Sequence, residues 1–151
     1  AARVAFTPWG SLARYYRSTE GSDIGFAPLA PTAFTRCLSA TRFMEYAAHG
    51  VLAVCADLEP YRDVVRPGET GYLFADAAEL ETALERALVE GEVRAAIPAR
   101  AARYVASERS ERRHAKDRLG VYLSVAAHMG FDIKGRQRAP GGKPRNCALH
   151  R

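Results

Sequence analysis

Ser39, Arg42 and Glu45 follow one another at intervals of three within FTRCLSATRFMEYAAHG, residues 34–50, a stretch that reads as one helix. Helical residues turn by about 100° each, so this spacing lays a hydroxyl, a guanidinium and a carboxylate along one polar stripe. Such a stripe is suited to recognition. A guanidinium presents a planar fork of donors that fits a phosphate or a carboxylate. A carboxylate can accept from two vicinal hydroxyls, such as those of a ribose. The N-terminus of the helix adds unpaired N–H groups and a partial positive charge that favour an anion. Phosphate and ribose would then lie in the order they have in a nucleotide. Spacing alone leaves a second reading open, in which Ser39 is an early-helix hydroxyl and Arg42 with Glu45 an i,i+3 pair worth about 0.2–0.5 kcal/mol.

The helix that carries the stripe sits between two apolar runs. DIGFAPLA precedes it, and VLAVCAD follows it, nearly all apolar, as a strand covered on both faces is. Upstream, RVAFTPW reads as a further strand, and SLARYYRSTEGS as a helix with Leu12, Tyr15 and Tyr16 on one side and a stop at Gly21. Downstream, RPGETG is a turn and YLFA a short last strand. Strands alternating with helices predict an α/β fold with a parallel, Rossmann-like sheet and flanking helices. In such sheets ligands bind outside the carboxyl ends of the strands, which here means TPWGS, PLAPTAFT and ADLEPYRD. Beyond Ala75 the pattern is helical. Asp76 and Glu79 form a capping box ahead of Leu80, Leu84, Ala87 and Leu88, and this helix stops near Gly91. A second helix follows Pro98, and a third runs from Ser110 and Glu111 to about Gly130. That last helix carries an apolar stripe of Leu119, Tyr122, Val125, Ala126 and Met129, part of which is expected to be exposed.

Composition narrows the function classes. The 151 residues suffice for a domain with a core of its own. Cys37, Cys55 and Cys147 have no paired spacing, which argues against a disulfide framework or a zinc site and for a reducing, cytoplasmic setting. No run approaches the ~18 apolar residues of a membrane-spanning helix, and no signal-peptide pattern opens the chain. The absence of an initiator Met suggests a fragment or a processed product. Residues 132–151 hold Lys134, Arg136, Arg138, Lys143, Arg145 and Arg151 against Asp132, which accounts for the whole net charge of +5. The residues from 131 onward read as a basic disordered tail. It lacks the interleaved aromatics of a nucleic-acid binder, so no nucleic acid is expected as partner. No Walker or G-x-G-x-x-G loop appears, and no metal or cofactor is called for. Tyr15 and Tyr16 read as packing, His49 as a helix C-terminal residue, and His114 and His128 as surface residues.

Three stretches, SDIGFAPL, the RFMEYAAHG helix leading into VLAVCAD, and RPGETGYLF, occur in an order and spacing that resemble the donor-binding region of GT-B glycosyltransferases, the glycosyl transferases group 1 family. The resemblance runs from about Phe6 to Tyr122. It implies that residues 1–130 are the C-terminal, nucleotide-sugar-binding half-domain of such an enzyme, with a nucleotide-diphosphate-sugar donor as partner and an unknown acceptor held by a preceding domain. Glu45 then matches the second glutamate of the family's E-x7-E motif, which binds the donor ribose. The first glutamate falls at Cys37. Branches with a Lys-Ser pair and a later Lys on this helix correspond here to Leu38, Ser39 and Arg42. The donor-binding candidates are Pro28, Leu29, Thr35, Ser39, Arg42, Phe43 and Glu45. Catalytic groups belong to the missing acceptor domain, and no turnover is expected from this chain alone. The alternatives are a non-catalytic nucleotide-binding or protein-interaction module on the same fold, and a truncated remnant without independent activity.

Overall fold

The stretch 52–56 is apolar at every position, and in the computed structural model of the chain, which describes residues 4–8, 10–89 and 91–131, all five of its residues are buried. The elements run α1 (Leu12–Thr19), β1 (Ile24–Ala27), α2 (Ala33–Arg36), α3 (Thr41–Ala48), β2 (Leu52–Ala56), α4 (Glu59–Arg62), β3 (Tyr72–Phe74), α5 (Ala77–Val89), α6 (Gly91–Glu108) and α7 (Glu111–His128). The strands form one open parallel sheet in the order β1-β2-β3, with Ile24 opposite Leu52 and Val54 opposite Tyr72. This is the α/β architecture expected: a parallel sheet with flanking helices, consistent with part of a Rossmann-like fold, and a helical C-terminal end.

Strand side chains alternate between the two faces of the sheet. Ala53 and Cys55 join Phe43, Ala47, Tyr61, Val64, Val65 and Ala101 in one core layer. Leu52, Val54 and Tyr72 join Ala83, Ala87 and Ile97 in the other. Helix α3 therefore covers one face and α5 the other, which explains why β2 has no polar position. Two close approaches require glycine. A Cβ on Gly25 would stand 2.6 Å from the ring of Tyr46, and one on Gly71 would stand 2.8 Å from the carbonyl oxygen of Ala53.

The ends of the elements follow local rules. Gly50, at φ 70°, closes α3: its N–H bonds the Ala47 carbonyl at 3.2 Å, and the Val51 N–H bonds that of Tyr46 at 2.9 Å. These are the two bonds of a Schellman cap, and they turn the chain straight into β2. The Asp76 carboxylate accepts from the Glu79 N–H at 2.9 Å, and the Glu79 carboxylate from the Ala75 N–H at 2.8 Å, so α5 starts at its capping residues, as expected. The RPGETG turn forms around Gly68, at φ 77°, and Arg100 of α6 fastens it by donating to the carbonyls of Glu69 at 2.9 Å and Gly68 at 3.1 Å.

Three expectations are corrected. The strand expected in RVAFTPW is not formed at the described residues 4–8, where Val4 and Phe6 are 94% and 89% exposed. An apolar run with no covering face gains nothing to offset its ordering, and Pro8 has no N–H to give a ladder. The single helix expected over 34–50 is two, α2 and α3, parted at 37–40. Hydroxyls compete with the helical backbone here: Thr32 and Thr35 close a capping box around one turn, and Ser39 bonds Thr41 at 2.7 Å. Pro98, expected to bound a helix, lies inside α6. Ile97, Pro98 and Ala101 are all buried, and that packing outweighs the roughly 3 kcal/mol a mid-helix proline costs.

The chain divides into two compact units, residues 1–107 and 108–151. In the second, Arg118 pairs with Glu111 at 2.6 Å along α7, and Gly130, at φ 82°, closes the helix. Leu119, Tyr122, Val125 and Met129 are exposed. The basic tail expected from 131 onward lies outside the described residues beyond Phe131.

Candidate functional site

The carboxyl ends of β1 and β2 open into two polar loops. After β1, Pro28 is exposed and Leu29 packs partly into the α3-side core. Thr32 then caps α2. Its Oγ1 accepts from the Thr35 N–H at 3.2 Å, the Thr35 hydroxyl accepts from the Thr32 N–H at 3.0 Å, and Thr35 also donates to the Ala30 carbonyl. Thr35 is thus engaged in holding its own loop. After β2, Arg62 grips Asp57 through Nε–Oδ1 at 2.7 Å and Nη2–Oδ2 at 3.2 Å. The hydrogen bonds from Arg62 hold the Asp57 carboxyl below its ordinary pKa. Arg36 of α2 pairs with Glu59 of α4, so the two loops are tied across the strand ends by an ion pair. Neither pair is legible in the sequence, and the members of Arg36–Glu59 stand 23 residues apart.

Helix α3 begins at this edge. Its N-cap, Ala40, makes no side-chain cap bond, and no acidic residue lies in its first turn. Arg42 is there instead. A cation at the positive end of a helix is opposed by the macrodipole, so the dipole does not explain its position; the combined field favours an anion. Glu45 comes one turn on, with Arg42 Nη1 3.3 Å from its Oε2. Arg42 is about half exposed, while Glu45 is largely covered, at 20% side-chain exposure.

Glu45 is covered by α1. The Tyr15 hydroxyl donates to Glu45 Oε2 at 2.7 Å and accepts from Arg42, and the Arg42 guanidinium lies 5.0 Å above the Tyr15 ring. Burial raises the pKa of the Tyr15 hydroxyl, and its bond to Glu45 raises it further, so it stays protonated as a donor. Burial pulls the Arg42 pKa down, but attraction to Tyr15 and Glu45 more than offsets this. Beside them, Tyr16 stacks on His49 at 5.2 Å, and His49 Nδ1 meets the Glu45 carbonyl at 2.8 Å.

The structure therefore brings Arg42 and Glu45 together, with Tyr15, which by sequence reads as packing, as a third member. Ser39 is set apart from them. It lies in the break before α3, bonded to Thr41, and the stripe of three is on the helix a pair. The helix N-terminus expected near Phe34 belongs to the four-residue α2, where Thr32 takes up the Thr35 N–H. Phe43 is fully buried, 6.5 Å from the ring of Tyr104, and anchors α3 in the core. A groove of about 390 Å³ between β3 and α5, lined by Pro67, Tyr72, Thr82 and Arg86, lies on the α5 face of the sheet, away from this pair. Among the described residues no cluster of His, Cys, Asp or Glu fits a metal, and no helix is long and apolar enough to cross a membrane.

Neither the curated proteins nor the solved structures compared with this chain gave a match. The sequence does match the glycosyl transferase-like family, over residues 2–120, an interval that contains the whole sheet, the two polar loops and the α1–α3 contact. The chain belongs to the glycosyl transferase-like family, and its general role is glycosyl transfer.

Proposed function

We propose that residues 1–130 form the donor half of a GT-B type glycosyltransferase, binding a nucleotide-diphosphate-sugar whose glycosyl group passes to an acceptor held by a further domain. The observation that carries this reading is Arg42 in the first turn of α3, next to an uncapped helix N-terminus and one turn from Glu45. That arrangement disfavours the helix by itself and suits a bound diphosphate followed by a ribose. Among the described residues the bonds to the Glu45 carboxylate, from Tyr15 and Arg42, both go to Oε2, which leaves the lone pairs of Oε1 for vicinal hydroxyls. Pro28 and Leu29 border the same strand end, with Thr35 and Ser39 shaping the loop between them and α3. Stabilisation of a leaving diphosphate by fixed charge and dipoles is the contribution this half makes to transfer.

Isothermal titration of the chain with UDP, GDP and ADP tests the reading. Glu45→Gln keeps the shape and removes the charge, and charge-assisted hydrogen bonds are worth about 1.5–3 kcal/mol. The expected loss is roughly tenfold or more in affinity at an unchanged melting temperature. The second reading, a non-catalytic module in which the pair only fastens α3 to α1, draws on the bonds to Tyr15. It predicts the reverse: no change in nucleotide affinity and a lower melting temperature for Glu45→Gln.

A further inference from the structure

The two members of the polar pair are on one short helix, but the group that orients them comes from another. Tyr15 stands 30 residues before Glu45 in sequence, and its hydroxyl donates to Glu45 Oε2 at 2.7 Å while accepting from Arg42. Its ring lies under the Arg42 guanidinium at 5.0 Å and beside the tilted ring of Tyr16 at 5.3 Å, so two neighbours restrain it. Glu45 has three side-chain torsions, and on an open helix it would sample many rotamers. Held through Oε2 by two donors, the carboxylate keeps one plane, and its second oxygen keeps one direction.

We propose that Tyr15 is a positioning residue for ribose recognition: it fixes the Glu45 carboxylate through Oε2 so that Oε1 is aimed, before any ligand arrives, at the vicinal hydroxyls of a ribonucleoside diphosphate. The inference rests on the donor-site reading given above. Its physical basis is preorganisation, in which a group already held in its bound geometry loses little freedom on binding. The same bond keeps Arg42 beside Glu45 rather than extended into solvent, and leaves its remaining N–H groups for the diphosphate. A hydroxyl serves this purpose better than a second cation would, because it orients the carboxylate without neutralising it.

Tyr15→Phe retains the ring, its tilted contact with Tyr16 and its contact with Arg42, and removes only the hydroxyl. The experiment titrates the full chain and this variant with a ribonucleoside diphosphate and with its 2′,3′-dideoxy counterpart, using whichever base binds, and records thermal unfolding of both proteins. The wild-type chain is expected to prefer the ribose form. Tyr15→Phe is expected to weaken ribonucleotide binding roughly three- to tenfold, because the Glu45 side chain must then be ordered as the ligand binds, and to leave dideoxynucleotide binding unchanged. In a Glu45→Gln background the same substitution is expected to change neither. If the wild type prefers the ribose form and Tyr15→Phe keeps that preference, the positioning role is overturned while the donor-site reading stands. An equal loss for both ligands also overturns it, since a merely structural tyrosine acts that way. If the wild type makes no distinction between the ligands, or binds neither, the donor-site reading itself fails and the proposal with it.

Discussion

Single side chains here have properties set by their layer. Cys55 is fully buried on β2, and burial pushes its thiol up to about 12; Tyr61, in the same core layer, is likewise pushed up to about 12. In the unfolded chain a cysteine ionises near pH 8.5 and a tyrosine near 10. The folded-state values are the raised ones, so the stabilisation is complete below pH ~8.5 and is lost as the pH climbs towards 12, by up to about 1.4 kcal/mol per pH unit for the thiol alone. Thermal melts between pH 7 and 10.5 are expected to show this fall, and Cys55→Ala is expected to flatten its first part. Alkylation at pH 8 with peptide mapping gives the kinetic counterpart: the exposed Cys37 reacts promptly and Cys55 only after unfolding. Immediate labelling of Cys55 would contradict its burial.

At the scale of elements, α3 is held on three sides. Phe43 and Ala47 fix it to the sheet, Gly50 turns it into β2, and Tyr15 binds it to α1. Tyr46 adds a fourth hold, with its hydroxyl donating to the Phe26 carbonyl at 3.1 Å over the gap left by Gly25. A Cβ on Gly25 would stand 2.6 Å from the Tyr46 ring, so Gly25→Ala must displace the tyrosine and lose that bond. The expected cost is about 1–3 kcal/mol, the usual range for overpacking. Gly50→Ala meets no neighbour, but its φ of 70° costs a side chain about 1–2 kcal/mol. Chemical denaturation of the two variants checks both values. Gly25→Ala is also expected to weaken nucleotide binding, because it moves the helix that carries Arg42 and Glu45, whereas Gly50→Ala acts at the far end of α3 and is expected to spare it.

For the whole molecule, charge is unevenly divided along the sequence. The net charge of +5 arises from residues 132–151, and residues 1–131 balance. If the domain ends near residue 130, as the sequence indicates, deleting 132–151 is expected to leave both the melting temperature and nucleoside diphosphate affinity unchanged. Hydrogen exchange across that stretch checks the same point from the other side: fast exchange is expected, and slow exchange would make the tail part of the domain. Leu119, Tyr122, Val125 and Met129 of α7 are exposed at spacings of three and four residues, and an apolar face of that kind favours association.

Sequence alone determined what local chemistry can carry. The alternation of apolar runs and helix signals specified a parallel α/β sheet. The all-apolar VLAVCAD specified a strand covered on both faces. Asp76, Glu79 and the RPGETG turn placed the start of α5 and the entry to β3, because caps and turns are decided by residues a few positions apart. Arg42 and Glu45 were legible as a pair for the same reason. Tertiary structure alone decided three other matters. It ended α2 after one turn and removed Ser39 from the stripe, since the burial of Ala40 and Phe43 outweighs a periodicity that continues through the break. It carried α6 through Pro98, since Ile97 and Ala101 are buried on either side. It brought Tyr15 to Glu45 and Arg36 to Glu59 across 30 and 23 residues. No spacing rule reaches that far: contacts between elements depend on how the helices cross the sheet, and that is fixed only when the core layers pack.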